Sequence, residues 1–416
     1  MKKLNKLMLV TLFASSSALA SDNLEVNLEG SIDFQAAVRN QNGLQGDDYL
    51  TKNRKNSTFF NQAGVKVDVS NETDCGLKYG ATITLSTTSK LSYLSKNGTF
   101  LFLESDYGRL EAGSGEPAEA KMSVSGYNIA AASGDGWTRY LKLNPKIHTI
   151  GDDKTSAYLG DFDDYAPVYI GNLPDHVGES PRSLSLYTPK INGVQIGVSY
   201  TPDTLNSGTK GISGIDGKKN YYDQNGVAYK AEGVGVKDLV GVGINFEHNL
   251  SDGVDIKLGA GYQEGAAKGK ITHIGGESNE EELKLNKHRL YNFGAVVSYG
   301  NWSVGGSYAD AGKSLTSSKF HFGERKNKFY TAALAYNQGP VAVSLTYLRN
   351  EKYNNKLNTY TLGTDYQLAP GLKPYAEVTA FNFNNKGYVT GEEGGLEQQN
   401  RKYKGMLYIL GTKITF

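Results

Sequence analysis

The sequence predicts an all-β fold: a 16-stranded antiparallel transmembrane β-barrel with one long connection folded into its bore. Three observations lead there. An export-type leader is followed by no apolar run long enough for a membrane helix. Stretch after stretch alternates apolar and polar residues with period two, and several apolar faces end in tyrosine. Between those stretches, short turns and long loops alternate along the chain.

The leader is expected over residues 1–20. Lys2, Lys3 and Lys6 form a positive start, Leu7 to Phe13 an apolar core, and Ala18-Leu19-Ala20 a small-x-small cleavage site before Ser21. No cysteine stands at that site, so a lipid anchor is not expected. Losing the three lysines takes the formal charge from +1 to −2, which gives no electrostatic case for nucleic acid. Residues 21–416 show no linker or composition break and read as one barrel domain. The whole sequence holds 50 glycines, 10 prolines, and 28 tyrosines against 15 phenylalanines and 2 tryptophans, which suits one large β-structure better than several globules. Cys75 is the single cysteine and has no internal disulfide partner. It lies in the turn-like stretch Asn71 to Gly76, where an exposed thiol is expected.

Taken in order, the strands begin with Leu24, Val26 and Leu28 alternating with Glu25, Asn27 and Glu29. Ile32, Phe34, Ala36 and Val38 continue that apolar face. Ala63, Val65, Val67 and Val69 follow against Gln62, Gly64, Lys66 and Asp68. Leu77, Tyr79, Ala81, Ile83 and Leu85 come next, and two strands flank the Asp106-Tyr107-Gly108 corner. Beyond residue 181 the pattern is cleaner, as in Val194 to Tyr200, Val254 to Tyr262, Tyr291 to Tyr299, Trp302 to Tyr308, Val341 to Tyr347 and Tyr360 to Leu368. The opposite faces are mostly Gly, Ser, Thr, Asn, Asp and Lys.

Short connections fall at Asn71–Cys75, Asp106–Tyr107, Lys190–Gly193, Leu250–Asp252, Gly300–Asn301, Gln338–Pro340 and Ala369–Leu372. Long ones fall at Gln41–Asn56, Lys90–Asn97, Glu116–Pro181, Pro202–Val236, Ala266–Asn286, Gly312–Lys326 and Gly387–Arg401, with a brief one at Lys352–Asn354. Eight outer connections and seven turns join sixteen strands, an even count with both termini on the short-turn side. Closure follows from solvation: an unpaired backbone group in hydrocarbon costs several kcal/mol, so an open sheet edge cannot span. A soluble sandwich or propeller is the competing fold, and a propeller would show a fixed-period repeat that is absent here.

Glu116–Pro181 is the longest interval without a strand pattern, and a run of that length inside a compact fold marks a functional loop. Its ten acids outnumber its five lysines and arginines. Asp152, Asp153, Asp161, Asp163 and Asp164 are the candidate constriction acids, since carboxylates in a narrow bore concentrate cations and repel anions. Parity places Arg39, Lys66, Lys78, Arg109, Lys257 and Lys413 on the inner wall, with Glu111 and Ser185 nearest mid-height. Each such charge, taken singly, is more simply a solvated or paired wall group.

Other chemistries are poorly supported. Gly113-Ser114-Gly115-Glu116-Pro117-Ala118 matches a Gly-rich dinucleotide fingerprint but lacks the surrounding βαβ unit. The six histidines show no paired metal-ligand spacing, and Asp161, Asp163 and Asp164 lack the glycine and distal glutamate of a calcium loop. No Gly-x-Ser-x-Gly elbow occurs, so an enzyme is not expected, nor is a cofactor or metal.

Three segments resemble the Gram-negative general porins. Leu101 to Ser114, containing Ser105-Asp106-Tyr107-Gly108-Arg109-Leu110, is similar to their hairpin before the constriction loop. Ser183 to Tyr200, containing Tyr187-Thr188-Pro189-Lys190-Ile191-Asn192-Gly193, is similar to the hairpin after it. Leu410 to Phe416 is similar to their final strand, whose terminal phenylalanine is read by the outer-membrane assembly machinery. The resemblance implies passive passage of ions and small hydrophilic solutes through the bacterial outer membrane, contact with its lipid, and a homotrimer with Lys90–Asn97 as the latching loop. Ser114 and Ser185 stand where the family carries wall arginines, which puts any anion preference in doubt and favours weak cation preference. The alternative is a surface antigen or adhesin whose loops bind host or phage proteins, with the barrel as anchor only.

Overall fold

The computed structural model describes residues 24–42, 57–88, 91–141, 182–204, 219–222, 228–250, 253–274, 284–314, 326–353, 355–390 and 396–416. The first strands are β1 (Glu25–Asn42), β2 (Ser57–Glu72), β3 (Lys78–Thr88), β4 (Leu91–Ser105), β5 (Gly108–Ser114) and β6 (Ser183–Tyr187). β7 (Val194–Asp203), β8 (Lys219–Tyr222), β9 (Ala228–Leu250), β10 (Val254–Ile274), β11 (His288–Tyr299) and β12 (Trp302–Asp310) follow. β13 (Lys326–Gln338), β14 (Val341–Tyr353), β15 (Asn355–Tyr366), β16 (Leu372–Thr390) and β17 (Leu396–Thr415) complete the sheet.

Sixteen of these close into the expected antiparallel ring. β1 pairs with β2 on one side and β17 on the other, and β7 pairs directly with β9. β8 pairs only with the first residues of β9, Ala228 to Ala231, and stands outside the ring. The seven short turns fall where the sequence puts them. Each carries a glycine with positive φ, from Gly76 through Gly108, Gly193, Gly253, Gly300 and Gly339 to Gly371, the conformation a tight reversal needs.

Several strands climb higher than the alternation indicates. Of the expected loop Lys90–Asn97, the described residues from Leu91 on are the start of β4, with Thr88 opposite Leu91. Parts of Pro202–Val236, Ala266–Asn286 and Gly387–Arg401 are likewise strand. β9 runs 23 residues, whereas about 9–11 span the hydrocarbon. Once the register is set, the ladder continues into water, where both faces are polar and period two fades from the sequence.

Outward side chains form an exposed apolar band that includes Phe34, Leu101, Leu186, Phe293, Val304 and Leu362. Tyr299, Trp302, Tyr336 and Tyr366 edge it on the short-turn side, with the Trp302 and Tyr336 rings 4.7 Å apart. On the opposite edge, tyrosine hydroxyls donate to carboxylates: Tyr262 to Glu264 at 2.6 Å, and Tyr308 to Asp310 at 2.9 Å. These are two aromatic girdles, each with an apolar ring body and a wet tip.

The largest apolar core lies inside the barrel. Trp137, Tyr140 and Leu141 of the β5–β6 connection pack with inward Leu348, Leu357, Phe381, Phe383, Leu407 and Ile409.

Candidate functional site

The described part of the long connection, residues 115–141, lies against the inner wall as a collar. It opens with a single helical turn, α1 (Ala118–Lys121), behind Pro117, whose fixed φ suits a helix start. Two 3-10 turns follow at Gly126–Ile129 and Gly136–Tyr140. Ser125 caps the first: its hydroxyl accepts from Tyr127 N at 3.2 Å, and Ser125 N donates to Asn128 Oδ1 at 2.6 Å. Short pieces of this kind let the chain bend along a curved wall.

Strands β13 to β16 and β1 each supply hydrogen-bonding side chains to the collar. Gly126 N donates to Thr331 Oγ1 of β13 at 3.0 Å, and Ala131 N to Ser344 Oγ of β14 at 2.8 Å. Ala132 N donates to Asp365 Oδ2 of β15 at 3.0 Å, and the Ser133 hydroxyl to Glu377 Oε2 of β16 at 2.6 Å. On β1, Gln35 Oε1 accepts from the Tyr140 hydroxyl at 2.6 Å. Burial pushes that hydroxyl up to about 12, which keeps it a donor. Arg139 lies over the Phe60 ring of β2, 4.1 Å away. Backbone donors that would otherwise be orphaned inside the barrel are satisfied in sequence order around the ring.

Glycines make room for the collar. A side chain at Gly259 or Gly294 would overlap the Met122 or Val124 carbonyl, and one at Gly197 would come within 2.8 Å of Ala118 Cβ. The inward faces of β7, β9, β10 and β11 therefore form a shallow track along which the collar backbone lies against the strands.

Coverage is one-sided. On β13 to β16 the inward residues beside the collar, among them Thr331, Ser344, Thr361 and Thr379, are buried. On β2 and β3, Gln62, Lys66, Asp68 and Thr84 remain partly open to the lumen. The water-accessible inner wall thus lies toward β2 and β3 among the described residues.

The candidate wall residues all point inward, and most are tied up. Arg39 Nη1 donates to the Tyr140 carbonyl at 3.0 Å, holding the collar's end. Lys66 pairs with Asp68 at 2.7 Å and Glu29 at 3.7 Å, and Lys78 with Glu25 at 3.2 Å. Arg109 pairs with Glu104 at 2.5 Å and Glu111 at 2.9 Å while stacking on Phe102. Glu111 also binds Lys121 of the collar. Ser185 is buried beside it. Asp152, Asp153, Asp161, Asp163 and Asp164 lie outside the described residues, as does the leader. Phe416 exchanges backbone hydrogen bonds with Gly30, at 2.7 and 3.0 Å, where the ring closes.

Sequence reasoning missed Glu119, Trp137 and the acceptors Asp365 and Glu377. A usable signal was present for part of this. Leu407 and Ile409 alternate with Met406, Tyr408 and Leu410, so β17 is apolar on both faces, which requires cover on both. Among the described residues no His, Cys, Asp and Glu grouping could hold a metal ion.

A closed antiparallel ring, apolar outside and collared within, defines a channel-type barrel of the bacterial outer membrane. The chain belongs to the Gram-negative porin family, whose sequence pattern matches residues 7–386. It is 32% identical over 438 residues to an uncharacterized protein of Rickettsia bellii (strain RML369-C), covering 98% of this chain and 97% of that one. An uncharacterized protein of Rickettsia prowazekii (strain Madrid E) is 32% identical over 431 residues, covering 96% of this chain and 94% of that one. Among solved structures, two mutants of the Rh. blastica porin share its fold with a TM-score of 0.53, at 13% and 12% identity, covering 94% of this chain and 100% of each. It is an outer-membrane porin.

Proposed function

We propose that this porin passes ions and small hydrophilic solutes by passive diffusion, with weak cation preference. The observation that carries the reading is the pairing of the wall cations. Lys66, Lys78, Arg109 and Lys121 each face a carboxylate within ion-pair distance, so the wall offers little net positive charge to an anion. Arg139, lying on Phe60, has no ion pair among the described residues and opposes that trend. The acids of the remaining loop, Asp152, Asp153, Asp161, Asp163 and Asp164, would then set the sign of the field.

Planar bilayers test this. Stepwise conductance that scales with salt is expected, and its absence removes the channel reading. In a KCl gradient the reversal potential should have the cationic sign, and it should move toward zero when Asp161, Asp163 and Asp164 become asparagine. An anionic sign in the unaltered protein would overturn the preference. The family resemblance also supports a homotrimer and, separately, insertion by an outer-membrane assembly machinery that reads Phe416. Crosslinking in native membranes that captures monomers alone would remove that part.

A further inference from the structure

Glu119 is the most enclosed carboxyl of the collar, with no solvent exposure. It lies flat against the inner wall in a niche formed by glycines. A Cβ at Gly241 of β9 would overlap its Oε2, one at Gly243 would stand 2.9 Å from its Cα, and one at Gly261 of β10 would stand 3.2 Å from its Cβ. Ser199 Oγ of β7 donates to Oε2 at 2.5 Å, and Gln263 Nε2 of β10 donates to Oε1.

The charged and titratable groups around the niche are few. β9 presents only glycines. β7 presents Ser199, and β10 presents Gln263, whose other atom, Oε1, lies 3.3 Å from His288 Nε2 of β11. β6 presents the Tyr187 hydroxyl. On its own element, Lys121 turns away to Glu111, which also holds Arg109. Among the described residues no cation pairs with Glu119 itself.

Enclosure without a paired cation among the described residues favours a carboxylic acid over a carboxylate, and the two neutral donors oppose this only in part. As the acid, Oε2–H can donate to Ser199 Oγ while Oε1 still accepts from Gln263, so both contacts persist with the first reversed. As the carboxylate, a full charge sits in a glycine niche away from water. Resting on the porin reading above, we propose that Glu119 is a proton-dependent positioning residue for the collar. Neutral, it seats α1 on β7, β9 and β10; on losing its proton to lumen water it releases that turn and changes the bore.

The direction of titration agrees. Burial raises the Glu119 carboxyl above the ordinary glutamate range, and the bonds from Gln263 and Ser199 offset this only in part. A group whose seated pKa is raised binds its proton more tightly when docked. Docking is therefore fully favoured below the ordinary range and weakens as pH rises through the raised value.

The test uses the full barrel in planar bilayers, stepping from about pH 4 to about pH 8, which brackets a raised carboxyl. Wild-type single-channel conductance should shift between an acid and an alkaline level. Glu119→Gln keeps both hydrogen bonds without a charge and should hold the acid level throughout. Gly241→Ala fills the niche and should hold the alkaline level throughout. A second readout needs no current. Met122→Cys, at the end of α1 and buried against the wall, should alkylate several-fold faster in the Gly241→Ala background than with Glu119→Gln. Heat-modifiable migration on gels verifies that each barrel is closed. A Glu119→Gln profile that still follows pH like wild type, or equal alkylation in the two backgrounds, would overturn the proposal. A silent bilayer with the alkylation difference intact would instead fault the channel reading.

Discussion

Cys75 lies in the first short turn, where the Thr73 hydroxyl is 3.1 Å from its sulfur. That contact, with the neighbouring backbone of Leu77, holds the thiol below its ordinary value, so more thiolate is present near neutral pH. Maleimide added to membranes opened on the periplasmic side should modify Cys75 readily, with a pH midpoint below that of a free thiol. Thr73→Val should raise that midpoint and slow the reaction near neutral pH; an unchanged midpoint would exclude the hydroxyl as its cause. The sequence shows the exposed thiol but not its activation, because a turn composition does not reveal which hydroxyl meets the sulfur. Glu119 was hidden for a related reason. Gly241, Gly243 and Gly261 look like ordinary small residues on a watery face until the collar is seen lying on them.

At the level of elements, the collar is held by two kinds of contact, a polar series around the ring and one apolar plug. Trp137 is fully buried in that plug beside Tyr140 and Leu141. Removing it in Trp137→Ala should weaken collar docking by about 3–5 kcal/mol while leaving the strand ladder intact. Faster cleavage of the loop by added protease, with unchanged barrel melting, is the expected signature. Equal cleavage would mean that the hydrogen bonds alone fix the collar. The barrel strands were legible because water and lipid impose opposite demands on alternate residues. The collar was legible only as a gap, since its 3-10 turns are too short for any periodic signal. Phe381 and Phe383 point inward against it, with Ala380 and Asn382 on the other face. That inversion was the clearest available mark of something solid within the ring.

For the whole molecule, the described residues put the channel off-centre. The ring of sixteen strands is wide enough to leave an aqueous bore, but the core against β14 to β17 occupies part of it. Conductance should therefore fall below that of an unfilled ring of equal strand number. A charged methanethiosulfonate reagent maps the path. Thr84→Cys on β3 should react and reduce the current, whereas Thr379→Cys on β16, fully buried, should not. Equal reaction at both would place water along the entire wall. The strand count, seven turns and long connection could all be read from alternation and turn composition. The asymmetry could not, because it depends on which wall the loop meets.

The seam between β1 and β17, closed at Gly30 and Phe416, also dictates when this chain can fold. Its partners come from opposite ends of the described sequence, so the ring stays open until β17 reaches β1. Contacts of such long sequence separation form slowly, and until they do the outer band is exposed to aggregation. Until that seam zips, the sheet keeps two unpaired edges, each a template for pairing with another chain.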